Sequence, residues 1–261
     1  MKPSSTTSTS KGRVLAGGIA HARYTVRLAR SEQDIHAAQT LRFLVFNVEL
    51  NEGLDHSYAT LRDADPFDAI CDHLVVEHQQ TGEIVGTYRL QSGRVAAANR
   101  GYYSSQEFDL APLEPLRNEL IELGRACVHS QHRNLTVLSL LWQGIDLYAR
   151  EHQARYLVGC SSLSTQDPAE GAALYHYLER HRLLTTHWKV QPLPGFVCPL
   201  DRVSEKPARP PKLLRAYLSL GAKICGPPAI DREFKTIDFL TFLDIQDVTP
   251  EAAARFLIQR D

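Results

Sequence analysis

The stretch "LIELGRACVHSQHRNLTVLSLLWQGIDLYAREHQARYLVGC", residues 120–160, decides the fold. Leu120 to Val128 is an apolar run of strand length, interrupted by Glu122 and Arg125. From about Thr136 to His152 the period changes: Leu138, Leu141, Trp142, Ile145 and Tyr148 fall on one face of a helix. Ala154 to Cys160 then reads as a short buried strand. The passage is strand, helix, strand, the grammar of an α/β chain.

Upstream, His73 to Glu77 and Ile84 to Leu90 are strands joined by the turn Gln80-Thr81-Gly82-Glu83, which makes a β-hairpin. Tyr24 to Ala29 alternates as a strand, and Ser31 offers an N-cap. From Asp34 onward Ile35, Ala38, Leu41, Val45 and Phe46 recur at helical spacing. Asn99 to Pro115 is rich in turn formers and aromatics, with one helical turn expected around Ser105 to Phe108. Downstream, Ala169 to His181 is helical, and prolines break the chain at 192, 194, 199 and again over Lys206 to Pro211. Leu213 to Leu220 reads as a helix and Phe234 to Leu243 as a strand. Thr249, Pro250 and Glu251 open a capped C-terminal helix. This order demands a mixed central sheet flanked by helices, an α/β (α+β) fold. A disordered leader is expected over residues 1–22, then one domain over 23–261 with a C-terminal extension from about 200.

Composition excludes several classes. A formal charge of -1 argues against a nucleic-acid partner. No run approaches the ~18 apolar residues of a membrane span. Cys71, Cys127, Cys160, Cys198 and Cys225 are odd in number and far apart, which suits core thiols in a reducing cytoplasm better than disulfides or structural zinc.

Four motifs, in order, narrow the family: "FDAICDHLVV" (67–76), "IVGTYRL" (84–90), "GYYSSQEFDL" (101–110) and "IELGRACV" (121–128). With "YLSLGAKICGPPAIDREFKTIDF" (217–239), the chain resembles the GNAT-type ornithine N-acyltransferases of bacterial ornithine-lipid synthesis and the related hemolysin-like and N-acyl amino acid synthases. A more distant similarity is to acyl-homoserine-lactone synthases. Their pattern of an early arginine, an acidic pair, a strand arginine and a Glu-x-x-Arg falls on Arg42, Asp68 with Asp72, Arg89, and Glu122 with Arg125. Those synthases also carry an early tryptophan, whereas Trp142 and Trp188 both come late. The resemblance implies a GNAT fold, a (3-hydroxy)fatty acyl donor held as the phosphopantetheine thioester of acyl carrier protein, and ornithine or a similar amino acid as acceptor. The product would be lyso-ornithine lipid. It implies no tightly bound cofactor, and an amphiphilic product implies brief peripheral contact with the inner membrane from the cytoplasm.

The residues fit that chemistry. Amide formation requires a neutral amine, yet an amino acid's α-amino group is largely protonated near neutral pH, so a base must take the proton. Glu122 is the first candidate, because burial in an apolar strand raises a carboxylate's pKa toward the working range. It is otherwise a structural partner of Arg125, three residues on, which shares its face only if the strand carries the bulge that the resemblance implies. His73 is the rival base, or a histidine hydrogen-bonded at a strand start. Cys71 with His73 lacks a third group to orient the imidazole, so direct attack by the amine is expected over an acyl-enzyme.

Asp68 and Asp72 either hold a cationic acceptor while Arg89 or Arg42 takes its carboxylate, or they pair with those arginines to brace the fold. Arg125, beside Glu122, joins the substrate-binding set. Asp63 and Asp65 add acidity, with no metal-ligand spacing, so no metal site is expected. Tyr102, Tyr103 and Phe108 are expected to pack a loop rather than line an acyl tunnel.

The turn Gln131 to Thr136, where GNAT enzymes bind coenzyme A pyrophosphate on a glycine-rich helix entrance, contains no glycine. That favours acyl carrier protein as donor, met by His132, Arg133 and Asn134 with Arg125 and His129; the alternative is a solvated basic turn. Two further readings stay open: acylation of another amino acid such as glycine, and a non-catalytic module binding acyl carrier or lipid. No strongly amphipathic basic helix supports a membrane-lytic protein.

Overall fold

The computed structural model of the protein describes residues 18–258. Of the leader expected over residues 1–22, residues 1–17 lie outside the described residues, and Ile19–His21 forms strand β1. The long strands follow the hydrophobic pattern: β2 (Tyr24–Leu28), β3 (Asp72–His78), β4 (Ile84–Ser92), β6 (Leu120–Val128), β7 (Tyr156–Leu163) and β11 (Thr236–Asp244), with short β5 (Phe108–Asp109), β8 (Gln191–Pro192), β9 (Lys223–Ile224) and β10 (Ala229–Asp231). The main sheet runs β1-β2-β3-β4-β6-β7-β11-β10, with β9 also paired to β11. Only β6 and β7 are parallel among these pairs, because helix α3 (Leu135–Glu151) carries the chain back between them. The sheet is mixed, as the element order requires.

Sequence periodicity explains how the helices sit. Val137, Leu140, Leu141, Trp142, Ile145 and Tyr148 of α3 are buried against Val26, Leu74, Tyr88, Leu90 and Ile121 of the sheet. Helix α1 (Glu32–Phe43), capped by Ser31 accepting from the Asp34 amide, lies on the other face. It widens into a π-helix over Leu44–Glu49, which sends Val45 and Phe46 into a cluster with Cys127 and Phe234. Alternation along β4 therefore sends Tyr88 and Leu90 toward α3 and Arg89 toward α1.

Helix α4 (Pro168–Arg180) packs Leu174 and Leu178 on Ile237 and Phe239 of β11. Residues beyond about 200, expected as an extension, supply β11 itself, which pairs with β7 over Ile237–Asp244. They also supply α5 (Lys212–Ser219) and α6 (Pro250–Phe256), the latter capped by Thr249. Helix α2 (Gly93–Ala98), capped by Ser92, has no strong periodic signal in so short a segment. The helical turn expected at Ser105 to Phe108 lies at Tyr103–Gln106. All five cysteines are free thiols.

One close approach shapes the sheet. The pairing of β6 with β7 covers only Leu120, Ile121 and Glu122 against Tyr156, Leu157 and Val158. Just beyond it, a Cβ on Gly159 would stand 2.1 Å from the Leu123 carbonyl oxygen, whereas one on Gly124 would meet nothing within 4 Å. Gly159→Ala is expected to destabilise the fold by about 1–3 kcal/mol through overpacking, and Gly124→Ala to stay within about 0.5 kcal/mol of wild type. Thermal or denaturant melts of the pair check this, and equal melts would contradict the reading of the strand parting.

Candidate active site

On the α1 face of the sheet, three arginines and three aspartates close a buried ring of alternating charge. Arg42, from the last turn of α1, meets Asp63 at 2.8 Å and Asp68 at 2.7 Å. Arg89 of β4 meets Asp68 at 3.0 Å and Asp65 at 2.6 Å. Arg125 of β6 meets Asp65 and Asp63, each at 3.1 Å. The side chains of Arg42 and Asp63 are 1% and 0% exposed, so these are internal ion pairs. Burial alone would raise the carboxyls of Asp65 and Asp68; the arginine guanidiniums outweigh it and hold both below the usual carboxylate range.

Arg42 is saturated. Its Nε and Nη1 donate to the Asp63 and Asp68 carboxylates, and its Nη2 to Asp68 and to the Asp63 carbonyl, so no nitrogen is left for a ligand. Of the two sequence readings for Arg42 and Asp68, the geometry is that of the brace. Arg89 differs: its Nη1 serves Asp65 and Asp68, while its buried Nη2 has no partner. Aromatic rings sheathe the cations. Arg89 lies 5.0 Å from the Tyr103 ring centroid, and Arg125 lies 4.7 Å from Tyr103 and 4.4 Å from Phe234. Tyr102 and Phe108 are buried in loop packing, as expected.

Arg125 reaches the ring because β6 is bulged. Thr87 pairs with Cys127 and Arg89 with Gly124, so β6 spends one residue more than β4, and Arg125 takes φ +50. The bulge puts Glu122 and Arg125 on the same loop: Glu122 Oε2 accepts from the Tyr103 amide at 2.6 Å and Oε1 from the Ser104 amide at 2.8 Å, while Arg125 Nη1 donates to the Tyr103 hydroxyl at 3.3 Å. Glu122 is 4% exposed. Burial raises its pKa, and the two amide bonds oppose that rise without cancelling it.

His73 lies beside the ring, its Nε2 3.1 Å from the Asp68 carbonyl oxygen and its Nδ1 buried without a partner. Burial lowers its pKa, which keeps the imidazole neutral near pH 7. Asp72 is not brought to Asp68. Neighbours along β3 point to opposite faces, and Asp72 instead accepts from the Tyr148 hydroxyl of α3 at 2.8 Å. A cationic acceptor therefore cannot be shared by Asp68 and Asp72. Burial pushes the Cys71 thiol up to about 12, so it holds its proton and makes no nucleophile beside His73.

Where β6 and β7 part, an apolar cavity opens, lined by Leu123, Val158, Gly159, Cys160, Trp142 and Tyr217 among others. Glu122 stands on the strand residue before Leu123, at the last β6–β7 pair. At the entrance to α3, Asn134 is committed to capping through Val137 and His132 Nδ1 lies 3.0 Å from the Tyr24 hydroxyl. Arg133 is half-exposed and paired with Glu49. Sequence reasoning gave too little weight to Asp63 and Asp65, whose spacing in the run Asp63-Ala64-Asp65-Pro66-Phe67-Asp68 was the available signal. It missed Glu107 and Asp238 altogether.

A mixed sheet parted after its bulged strand, with an apolar cleft at the parting, defines a GNAT-type acyltransferase. A family model for the acetyltransferase (GNAT) domain matches residues 41–143, the span that holds the whole ionic ring. The L-ornithine N(alpha)-acyltransferase of Brucella abortus is 38% identical over 242 residues, covering 86% of this chain and 85% of that protein. The protein of the same name from Agrobacterium fabrum is 34% identical over 237 residues, covering 85% and 81%. The chain belongs to the L-ornithine N(alpha)-acyltransferase family. Among solved structures, the AHL synthase LasI shares the fold with a TM-score of 0.54 at 12% identity, covering 92% of this chain and 100% of that one. FeeM, an N-acyl amino acid synthase from uncultured soil microbes, does so with a TM-score of 0.52 at 13% identity, covering 89% and 95%.

Removing one member of a buried ion pair strands its partner and typically costs about 3–5 kcal/mol. Arg42→Met, which leaves Asp63 and Asp68 each short of a guanidinium, is expected to destabilise the fold by that amount in urea melts. The depressed carboxyls of Asp65 and Asp68 contribute stability that is present above the unfolded-state pKa, about 4, and lost as pH falls below it. Wild-type stability should therefore drop steeply below about pH 4, and Arg42→Met should show a shallower drop. A small loss with an unchanged acid profile would contradict the ring's role.

Proposed function

We propose that the protein transfers a (3-hydroxy)fatty acyl group from the phosphopantetheine thioester of acyl carrier protein to the α-amino group of ornithine, giving lyso-ornithine lipid. The observation that carries this reading is the place of Glu122: a buried carboxylate with a raised pKa where β6 and β7 part and the apolar cleft begins. In this scheme the acyl chain and pantetheine arm enter the parting, which must widen to admit them. The amine attacks the thioester carbonyl carbon, an N–C bond forms, the C–S bond breaks, and the thiol leaves with a proton. Glu122 takes the amine's proton, directly or through a water. His73, neutral and with a free Nδ1, stands as the second candidate base. The unpartnered Arg89 Nη2 is the donor for the acceptor's carboxylate, backed by Arg125. The names of the relatives support ornithine as the acceptor.

The donor reading rests on the glycine-free turn at Gln131–Thr136 and on the half-exposed Arg133. Peripheral membrane contact is supported by exposed apolar side chains on one segment, Leu44, Val48, Leu50, Tyr58 and Leu61. Among the described residues no helix is long and apolar enough to cross a membrane.

Steady-state rates with one acyl carrier thioester and a panel of amino acids test the reaction. Ornithine should be the best acceptor; a higher kcat/KM for glycine would redirect the assignment. With matched acyl chains the carrier should exceed coenzyme A in kcat/KM, and equal or better use of acyl-coenzyme A would reject the carrier. Arg133→Glu should weaken carrier use with little change in melting, since exposed ion pairs contribute only about 0–1 kcal/mol.

Glu122→Gln is expected to lower kcat by about 10²–10⁴-fold. Its amide NH₂ would also face the Tyr103 or Ser104 N–H, costing about 1–3 kcal/mol of stability. The rate loss should shrink at high pH, where more of the amine is already neutral. A near-wild-type rate, or a larger loss in His73→Gln, would move the role to His73.

A further inference from the structure

We infer that Glu107 and Asp238, backed by Asp231, form the seat for the side-chain ammonium group of the amino-acid acceptor; this rests on the ornithine reading above. One carboxylate oxygen each from Glu107 and Asp238 and the Cys160 sulfur lie within 4.8 Å of one another. An ammonium nitrogen seated among them comes within hydrogen-bond reach, about 2.8 Å, of each corner. Glu107 and Asp238 are 2% and 5% exposed, and Glu107 Oε2 and Asp238 Oδ1 have no donor. Asp231, also buried, adds its charge while its Oδ1 holds the Glu233 and Phe234 amides. Arg125, whose field reaches Glu107, is itself committed to Asp63 and Asp65. Buried carboxylates are costly unless paired or protonated, and among the described residues no arginine or lysine forms an ion pair with either, which leaves room for a ligand's cation.

The pocket is joined to the reaction site on two sides. Cys160 lines the apolar cleft and donates to the Ser104 hydroxyl at 3.5 Å. The Ser104 amide in turn binds Glu122. Glu107 directly follows the short helical turn Tyr103–Gln106 whose start Glu122 pins. One segment thus sets the distance between the proposed base and the acidic pair. The two nitrogens of ornithine stand four carbons apart, a fixed span such a segment can read.

The groups facing the pair are Asp231 of β10, Cys160 and Ser162 of β7, Thr236 of β11, Tyr103 on the loop and Arg125 of β6, with Glu122 acting on Cys160 behind them. Burial raises both Glu107 and Asp238; Asp238 and Asp231 push Glu107 further up, while Asp231 raises Asp238 and its contacts with Ser162, Thr236 and Glu107 oppose that rise without cancelling it. The empty pair therefore retains a proton that an arriving ammonium displaces. The Cys160 thiol is also pushed well up by burial and these carboxylates, so it faces the pair as a neutral S–H.

The test compares ornithine with 2-aminopentanoate, which has the same carbon skeleton without the side-chain amine. Wild type should favour ornithine by about 100-fold or more in kcat/KM. Asp238→Asn and Glu107→Gln should cut that ratio at least about tenfold, mainly through the KM for ornithine; an unchanged ratio in folded variants overturns the inference. A second arm needs no variant. From about pH 5 to about pH 8 the wild-type ratio should rise as Asp238, raised to about 6, loses its proton, since the side-chain amine stays charged throughout and effects on the α-amine cancel; a flat ratio overturns the inference. Zinc retained at one per chain by wild type and lost in Asp238→Asn would make the cluster a metal site and also overturn it. If wild type prefers an acceptor other than ornithine in the panel, the proposed function fails instead, and the two failures are told apart.

Discussion

The closed ring of Arg42, Asp68, Arg89, Asp65, Arg125 and Asp63 is the constraint on which the site depends. It ties the end of α1, the acidic loop before β3, and strands β4 and β6 into one buried unit. Each carboxylate meets two guanidiniums and each guanidinium two carboxylates, so the ring is neutral without drawing on solvent. Desolvating six charges consumes much of their mutual attraction, which makes the ring a device for geometry more than for net stability. Its geometric result is specific. Arg125 joins only because β6 bulges, and the same bulge brings Glu122 and Arg125 onto the Tyr103–Ser104 segment.

The large elements were legible in the sequence because each satisfies a strong periodic pattern. Leu120–Val128 is a strand end to end as read, Ser31 and Thr249 cap the helices they announce, and the α3 stripe from Leu138 to Tyr148 meets the sheet. Short elements such as α2 and β8 were not legible, since two to six residues carry too little pattern against tertiary packing. The site was half legible. Glu122, Arg89 and Arg125 stand together as the motifs implied. Asp72 does not, because a one-residue step along β3 turns it toward Tyr148, a partner 76 positions away. Asp238 was hidden for a related reason: it lies in a largely apolar strand, the β7–β11 pairing sets it opposite Ser162 and near Cys160, and Glu107 comes from the distant 101–110 loop.

The arrangement divides labour across the parting of β6 and β7. Apolar residues from β7, α3 and α5 line the cleft side, where a fatty thioester would lie. Charged and aromatic residues of the ring and the 101–110 loop occupy the α1 side, where an amino acid would lie. Glu122 stands at the boundary, the one ionisable group on the last residue at which the two strands still pair. The fold alone leaves the chemistry open, since GNAT sheets host many acyl transfers; family membership and this boundary together narrow it to N-acylation.

The central claim, that the chain acylates ornithine on its α-amino group, is tested most directly by mass spectrometry of lipids from a host that makes no ornithine lipid and expresses this chain. A new species is expected in which ornithine is amide-linked through its α-nitrogen to a 3-hydroxy fatty acid, absent when the empty vector is carried. No ornithine-containing species despite a folded, expressed protein, or accumulation of a different acylated amine, would contradict it.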